Sequence, residues 1–212
     1  MDPRHLTEFP AGFFSRGDET DDADFYAFDR FVTHIDDGAI AAVGDLYAEL
    51  GLASDSSGPV LDICSSWISH FPSKPGHLTV TGMNAAELAA NDMADEWFVQ
   101  DLNADPTLPF DDGEFAAVTC AVSVDYLTRP LDVFAEAARL LCPGGVFVCT
   151  FSNRCFPTKA IRGWLATHDA GRMQIVGRYF ELTEGFAEPT LEHRNPDAAT
   201  DPLYAVWATR QP

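Results

Sequence analysis

The chain has 212 residues and 46% hydrophobic residues, which is enough for one globular domain with a sizeable core. Its 13 basic and 33 acidic residues give a formal net charge of −20, which disfavours nucleic acid and anionic membrane surfaces as partners. No apolar run approaches the ~20 residues that a membrane-spanning helix needs.

The cysteine pattern predicts reduced thiols in a cytoplasm. There are five cysteines, an odd number, and none form a CxxC pair. This pattern indicates neither a disulfide framework nor a zinc site, and we expect no bound metal. The N-terminus lacks the basic start and apolar stretch of a secretory signal.

The first half of the chain begins with acidic and helical segments. Residues 1–24 are rich in Asp, Glu, Gly and Pro without periodicity, which predicts a mobile acidic lead-in. Residues 25–212 are predicted to form a single domain. Its first part, residues 25–51, is predicted to be a helical cap, because apolar residues recur there at spacings of three or four.

Strand-like and helical runs then alternate. Five strands are predicted at "VLDIC", "HLTVTGM", "EWFVQDL", "FAAVTCAVSV" and "VFVCTF", and the first and fifth are expected to be buried. Helical runs follow the second and fourth of them. Such alternation predicts a parallel sheet with helices on both faces.

The end of the chain changes this pattern. Two strand-like runs, Met173–Leu182 and Pro202–Arg210, have no convincing helix between them. They are expected to pair antiparallel at one sheet edge. The predicted fold class is therefore α/β: a Rossmann-like, seven-stranded, mostly parallel sheet flanked by helices, with an antiparallel C-terminal edge strand.

This order of elements resembles the class I S-adenosylmethionine (SAM) methyltransferases, and in particular the methyltransferase type 11 domains. The segments that carry the resemblance are "VLDICSSW", "VQDLNADPTLPFDDGEFAAVTC" and "EAARLLCPGGVFVCTFSN". The chain is also similar to a small subgroup in which Cys-Ser-Ser-Trp replaces the glycine-rich turn after the first strand. The resemblance implies SAM as the cofactor.

The resemblance implies a cofactor site along the strand ends. Asp62 would orient the first turn or meet the ammonium group of the methionine part, and Asp101 and Leu102 would bind the adenine. The full set implied for the cofactor is Asp62, Ile63, Cys64, Ser65, Ser66, Met83, Asn84, Asp101, Leu102 and Ser123.

Two positions depart from the family pattern. Asn84 occupies the place of the usual ribose-binding acid, and it should weaken the site without abolishing it, because hydrogen bonds to charged acceptors are stronger. Cys64, Ser65 and Ser66 cannot take a positive φ as cheaply as glycine. If they form a working turn, we expect its hydroxyls to contact the cofactor and its backbone to need no positive φ.

Candidate residues for the reaction follow the fourth and fifth strands or lie in the cap. His34, Asp125 and Tyr126 are the catalytic candidates, with His34 or Asp125 as the base. Arg154 could hold an acidic substrate, together with Asn153, because both follow the fifth strand at the edge where ligands bind. A capping or surface role for His34 and a surface ion pair for Arg154 remain open.

The predicted function is methyl transfer from SAM to a small molecule. The alternative is a binding protein or partner subunit of the same fold that binds SAM, S-adenosylhomocysteine or another nucleoside without turnover. A nicotinamide dehydrogenase is poorly supported, because G-x-G-x-x-G is absent after the first strand. The sequence leaves the acceptor and the oligomeric state open.

Overall fold

The computed structural model describes residues 2–196 and 199–212, and for Leu6 the backbone alone. Within these residues, seven strands form one sheet. The strands are β1 (Pro59–Asp62), β2 (His77–Gly82), β3 (Glu96–Val99), β4 (Phe115–Ala121), β5 (Leu141–Phe151), β6 (Thr190–His193) and β7 (Tyr204–Thr209).

The sheet is mostly parallel, as predicted. The strand order is β3-β2-β1-β4-β5-β7-β6. The first five strands along the chain run parallel to one another, and β7 runs antiparallel to both β5 and β6. The predicted fold class is confirmed, including the antiparallel C-terminal edge.

The sixth strand does not lie where the sequence predicted it. Met173–Leu182 is helical, and the strand that pairs with β7 is the four-residue β6. The helix forms because Val176, Tyr179 and Phe180, spaced by three and four residues, are all buried on one face. This tertiary packing overrides the strand propensity of the aromatic and β-branched residues.

Helices cover both faces of the sheet. They are α1 (Arg4–Thr7), α2 (Asp22–Phe25), α3 (Asp37–Glu49), α4 (Ala85–Ala89), α5 (Pro130–Leu140), α6 (Arg162–Leu165) and α7 (Asp169–Leu182). One apolar cluster contains side chains of α5, α6 and α7, and the other contains side chains of α3 and α4. Because side chains alternate along a strand, β1, β4, β5 and β7 each contribute to both clusters.

The connection between β1 and β2 contains no helix. Residues 63–76 are irregular, although this crossover joins two parallel strands. Phe71 from this segment joins α3 in the second cluster, where its ring lies 4.5 Å from that of Tyr47. Helix α3, from the predicted cap, therefore covers this face of the sheet ahead of β1.

The predicted lead-in, residues 1–24, includes buried side chains. His5, Phe9 and Arg16 are buried, and the Phe9 ring packs 5.6 Å from that of Tyr179 on α7. This segment packs more closely than its composition suggested, and its mobility stays a prediction.

Candidate active site

A cavity opens at the carboxyl ends of the central strands β1, β2 and β4, and we call it the main cavity. In open α/β sheets, ligands bind at this edge. It is lined by residues from the strand ends, the segment 64–70, helix α4 and the N-terminal segment: Asp22, Tyr26, Arg30, Val32, His34, Asp62, Cys64, Ser65, Ser66, Ile68, His70, Gly82, Met83, Asn84, Glu87, Gln100, Asp101, Leu102, Asn103, Ala121, Val122, Ser123, Tyr126, Leu127 and Phe156.

Asp62 is buried at the end of β1, and hydroxyl groups bind both of its carboxyl oxygens. Ser65 donates to one oxygen at 2.6 Å, and Thr119 of β4 donates to the other at 2.6 Å. Burial raises the pKa of Asp62 to about 6, against the opposing effect of these hydrogen bonds. Asp62 thereby fixes the turn that follows β1, which is one of the two roles expected for it.

The turn after β1 has a positive φ, contrary to expectation. Cys64 has φ +54°, while Ser65 and Ser66 do not have positive φ values. The close backbone approach that this turn needs is made possible by a glycine elsewhere, because a Cβ on Gly82 of β2 would overlap the Ser65 carbonyl oxygen. The Cys-Ser-Ser sequence thus keeps a glycine-type turn at the cost of backbone strain.

Ser66 contacts a carboxylate that the sequence analysis missed. Its hydroxyl donates to Glu87 at 2.5 Å, and the other oxygen of Glu87 accepts from the backbone N–H of Arg30 at 2.7 Å. The sequence "NAAE" places Glu87 three residues after the helix N-cap, which is the position of the acidic residue in a capping box. Its side chain lines the main cavity instead.

Asn84 is the N-cap of α4. Its Oδ1 accepts from the backbone of Ala86 and Glu87, and its Nδ2 donates to the Tyr26 carbonyl at 3.1 Å and to Asp29 at 3.0 Å. These four bonds occupy the whole amide. The predicted ribose contact would require some of them to break.

Other predicted cofactor residues lie at the main cavity. Asp101 and Leu102 line it after β3, and Asp101 accepts from the backbone N–H of Asn103 at 2.8 Å. Met83 and Ser123 also line it, and Ser123 donates to the Cys64 carbonyl at 3.3 Å. Ile63 does not line the cavity, since its side chain is buried in the apolar cluster of α5 and α7.

A second cavity adjoins the main one, and we call it the outer cavity. The two share the wall formed by His34, Val122, Tyr126 and Phe156. The outer cavity has a volume of about 490 Å³, and its remaining lining residues are Thr33, Ile35, Asp36, Arg154, Cys155 and Asp201.

The three catalytic candidates lie in different places: two line the cavities and one is buried in the interior. His34 and Tyr126 lie in the shared wall. The Tyr126 hydroxyl accepts from the backbone N–H of Phe156 at 2.8 Å, and burial raises its pKa, so it stays protonated. Asp125 lines neither cavity, because the 3-10 turn Val124–Tyr126 directs it into the interior, where its Oδ2 has no hydrogen-bond partner within the described residues.

The substrate candidates also differ. Arg154 lines the outer cavity, where its side chain pairs with Asp201 at 3.0 Å. Asn153 is exposed and lines neither cavity. The cation that lines the main cavity is Arg30, whose guanidinium lies 4.7 Å from the centre of the Phe25 ring and donates to the carbonyls of Phe25 and Phe28.

Within the described residues, no three His, Cys, Asp or Glu side chains are grouped so that they could hold a metal ion. In the same part of the chain, no helix combines the length and the apolar character needed to cross a membrane.

Comparisons with known proteins agree with this fold. Residues 64–149 match a family model described as a methyltransferase domain. A search of curated proteins found no match. A SAM-dependent methyltransferase from Aquifex aeolicus is 12% identical with a TM-score of 0.56, covering 82% of this chain and 98% of that one.

The names of two further proteins with similar structures include a substrate. A possible histamine N-methyltransferase from Thermotoga maritima is 14% identical with a TM-score of 0.54, and covers 82% of this chain and 90% of its own. Geranyl diphosphate C-methyltransferase from Streptomyces coelicolor, in complex with S-adenosylhomocysteine, is 16% identical with a TM-score of 0.52, covering 80% of this chain and 76% of its own.

The strand order and the cavity at the strand ends agree with the family match at residues 64–149. They support methyl transfer by an enzyme that uses SAM. The chain has the fold of the class I SAM-dependent methyltransferases, and its residues 64–149 are similar to a methyltransferase domain.

Proposed function

We propose that this chain transfers a methyl group from SAM, held in the main cavity, to a small-molecule acceptor held in the outer cavity. The observation that carries this proposal is the shared wall of His34, Val122, Tyr126 and Phe156. Two adjoining cavities at the carboxyl edge of a parallel sheet allow a donor and an acceptor to meet at their junction.

The residues of the main cavity suit the adenosine part of SAM, with one reassignment. Asp101 and Leu102 would hold the adenine, as the sequence implied. Glu87 would accept from the ribose hydroxyls in place of Asn84. The carboxylate of Glu87 accepts one hydrogen bond at each oxygen in the structure and has further lone pairs, whereas the amide of Asn84 is fully occupied.

The methionine part would lie between opposite charges. Asp62, at the turn after β1, would face the ammonium group. Arg30 would hold the carboxylate, since within the described residues its guanidinium forms no ion pair with an acid and donates to two backbone carbonyls. Arginine suits this task because its planar fork matches a carboxylate.

The reaction would depend mainly on positioning. SAM supplies a methyl carbon already activated by a positively charged sulfur. The two cavities would align the acceptor with that carbon, and such alignment can remove ~7–11 kcal/mol of the barrier. Partial burial lowers the pKa of His34, which keeps its imidazole neutral and able to accept a proton near pH 7.

Calorimetry with SAM and S-adenosylhomocysteine tests this proposal. We expect both to bind, and Asp101→Ala to weaken binding by about 1–3 kcal/mol through loss of the adenine contact. The matched control is Asp105→Ala, an exposed carboxylate outside the main cavity. If neither compound binds the wild type, or if the two variants behave alike, the proposal or its adenine assignment is wrong.

A second outcome would favour the binding protein that the sequence left as the alternative. Four hydrogen bonds hold the Asn84 amide to α4 and to the N-terminal segment, and they favour a main cavity that stays closed. Tight binding of S-adenosylhomocysteine without transfer from SAM to any acceptor in a broad panel would support binding without turnover.

A further inference from the structure

His70 lies at the main cavity, and none of the roles assigned above uses its side chain. It ends the segment 64–70, its side chain is only 8% exposed, and its Nδ1 has no hydrogen-bond partner within the described residues. Its backbone φ is +59°. A buried ring nitrogen without a partner, held by a strained backbone beside a cavity, is a candidate for ligand contact.

A second imidazole lines the same cavity. His34 lies in the wall shared with the outer cavity, and its ring packs edge-on against Phe156 with 5.3 Å between ring centres. Among the described residues, no hydrogen bond holds either ring nitrogen of His34. The main cavity therefore contains two histidines whose nitrogens are available to one ligand.

Both imidazoles are neutral near pH 7. Burial, and to a smaller extent the nearby His34, lowers the pKa of His70 to about 4. Burial also lowers the pKa of His34, with Glu87 raising it and Arg30 lowering it. Each neutral ring offers one acceptor nitrogen and one donor N–H. His70 can therefore accept a hydrogen bond but holds a proton poorly, and His34 is the ring that takes up the proton.

The shared wall favours a flat ligand. The rings of Tyr126 and Phe156, which both line the two cavities, lie 5.9 Å apart and are tilted by 32°. Aromatic side chains in this arrangement pack well against a planar ring.

We propose that His34 and His70 form an acceptor-hydroxyl site. The ring of a planar aromatic acceptor lies in the outer cavity, and its weakly acidic hydroxyl group reaches past His34, in the shared wall, towards His70 in the main cavity. This inference rests on the proposed function. In the reaction, the C–S bond of SAM breaks and a C–O bond to the acceptor forms. The hydroxyl proton passes to an imidazole nitrogen, which later releases it to water, and the products are a methyl ether and S-adenosylhomocysteine.

The test compares 4-methylphenol, whose hydroxyl keeps its proton near pH 7, with 4-methylanisole, which has the same ring but no hydroxyl proton. Calorimetry would measure the binding of each to the wild type, with and without S-adenosylhomocysteine. We expect the phenol to bind about tenfold more tightly, as one buried hydrogen bond allows. Equal affinities for the two probes in the wild type would overturn the proposal.

Variants assign the preference to the histidines. His70→Asn keeps a residue that tolerates the positive φ, and His34→Gln keeps a polar side chain. Both should reduce the preference to within about twofold. His77→Asn is the control, because His77 lies at the opposite end of β2. A full preference in His70→Asn would overturn the role of His70.

Binding of S-adenosylhomocysteine separates this inference from the proposed function. We expect His70→Asn to bind it as the wild type does. If His70→Asn loses it, His70 belongs to the cofactor site and the acceptor-hydroxyl assignment is wrong. If the wild type itself does not bind it, the proposed function fails, and the comparison of the two probes on the protein alone still decides the role of the histidines.

Discussion

At the scale of single residues, backbone strain is concentrated at the main cavity. Cys64, His70 and Val122 are the non-glycine residues with positive φ among those described, and all three line this cavity. Val122 is β-branched, which makes its φ of +45° especially unfavourable. Such conformations cost on the order of 1–3 kcal/mol each, so the surrounding contacts must hold them in place.

The strain at Cys64 can be measured by substitution. Cys64→Gly should relieve the left-handed conformation, which costs a non-glycine residue about 1–2 kcal/mol, while losing a half-buried side chain. Cys155→Gly, at a half-buried cysteine without a positive φ, loses a similar side chain and gains no relief. We expect Cys64→Gly to lower the free energy of unfolding by about 1 kcal/mol less than Cys155→Gly, measured by urea denaturation. Equal losses would argue that Cys64 is not strained.

Sequence position predicted the site residues that directly follow strands. Asp62, Cys64, Ser65, Ser66, Asp101 and Leu102 all line the main cavity, because the carboxyl ends of parallel strands meet at one edge. Glu87, His70 and Arg30 were missed, since they reach the cavity from a helix and from irregular segments without periodicity. Asp125 follows β4 as well, but a 3-10 turn changes the direction of its side chain.

At the scale of elements, the N-terminal segment is fastened to the rest of the domain by buried charges. Arg16 donates to Asp22 of α2 at 2.7 Å, and the fully buried Lys159 lies 3.1 Å from the same carboxylate. Burial alone would raise the pKa of Asp22, but hydrogen bonds from Arg16 and Asn103 hold it below its usual value. Tyr26 and Arg30, which line the main cavity, directly follow this ionic cluster.

Removing the charge of Asp22 should detach the N-terminal segment from the rest of the domain. Asp22→Asn leaves Arg16 and Lys159 buried with only Glu19 and Asp18 nearby, at 3.6 and 3.5 Å. We expect a loss of about 2–4 kcal/mol in the free energy of unfolding and faster hydrogen exchange across residues 16–30. Asp24→Asn, an exposed residue of the same helix, is the control and should change neither measurement. Unchanged exchange in Asp22→Asn would contradict this role.

The helices and strands were predictable where apolar residues recur along the segment with one regular spacing. The five parallel strands were predicted because they are short apolar runs that alternate with helical or turn-rich segments. Strand β6 was missed because Leu191 is its one apolar residue, whereas the equally short and exposed edge strand β3 carries Trp97, Phe98 and Val99. Its sequence therefore lacks the apolar signal that the buried strands carry.

At the scale of the whole molecule, two buried carboxyl groups make stability depend on pH. Burial raises the pKa of Asp62 to about 6 and that of Asp125 to about 7. A raised pKa means that the folded state binds protons that the unfolded state has lost. Stability due to these groups is therefore present below about pH 4 and declines as the pH rises towards 7.

Asp125→Asn should remove the larger share of this decline. We expect the variant to exceed the wild type in unfolding free energy at pH 8, by at most about 4 kcal/mol, and to match it near pH 4. Urea denaturation at several pH values would measure the difference between the two curves. Asp45→Asn, at an exposed position of α3, is the control for the change in net charge. A pH-independent difference for Asp125→Asn would contradict the raised pKa.

The position of α3 has a consequence for how the chain folds during synthesis. Its buried residues Ala39, Val43 and Tyr47 share a cluster with Val148 of β5 and Ala205 of β7. This helix leaves the ribosome early, but part of the surface that covers it is made more than 150 residues later. Contacts so distant in sequence form slowly, because a long loop must close before they are gained. The nascent chain therefore carries a partly uncovered apolar helix through most of translation, when it is most open to aggregation.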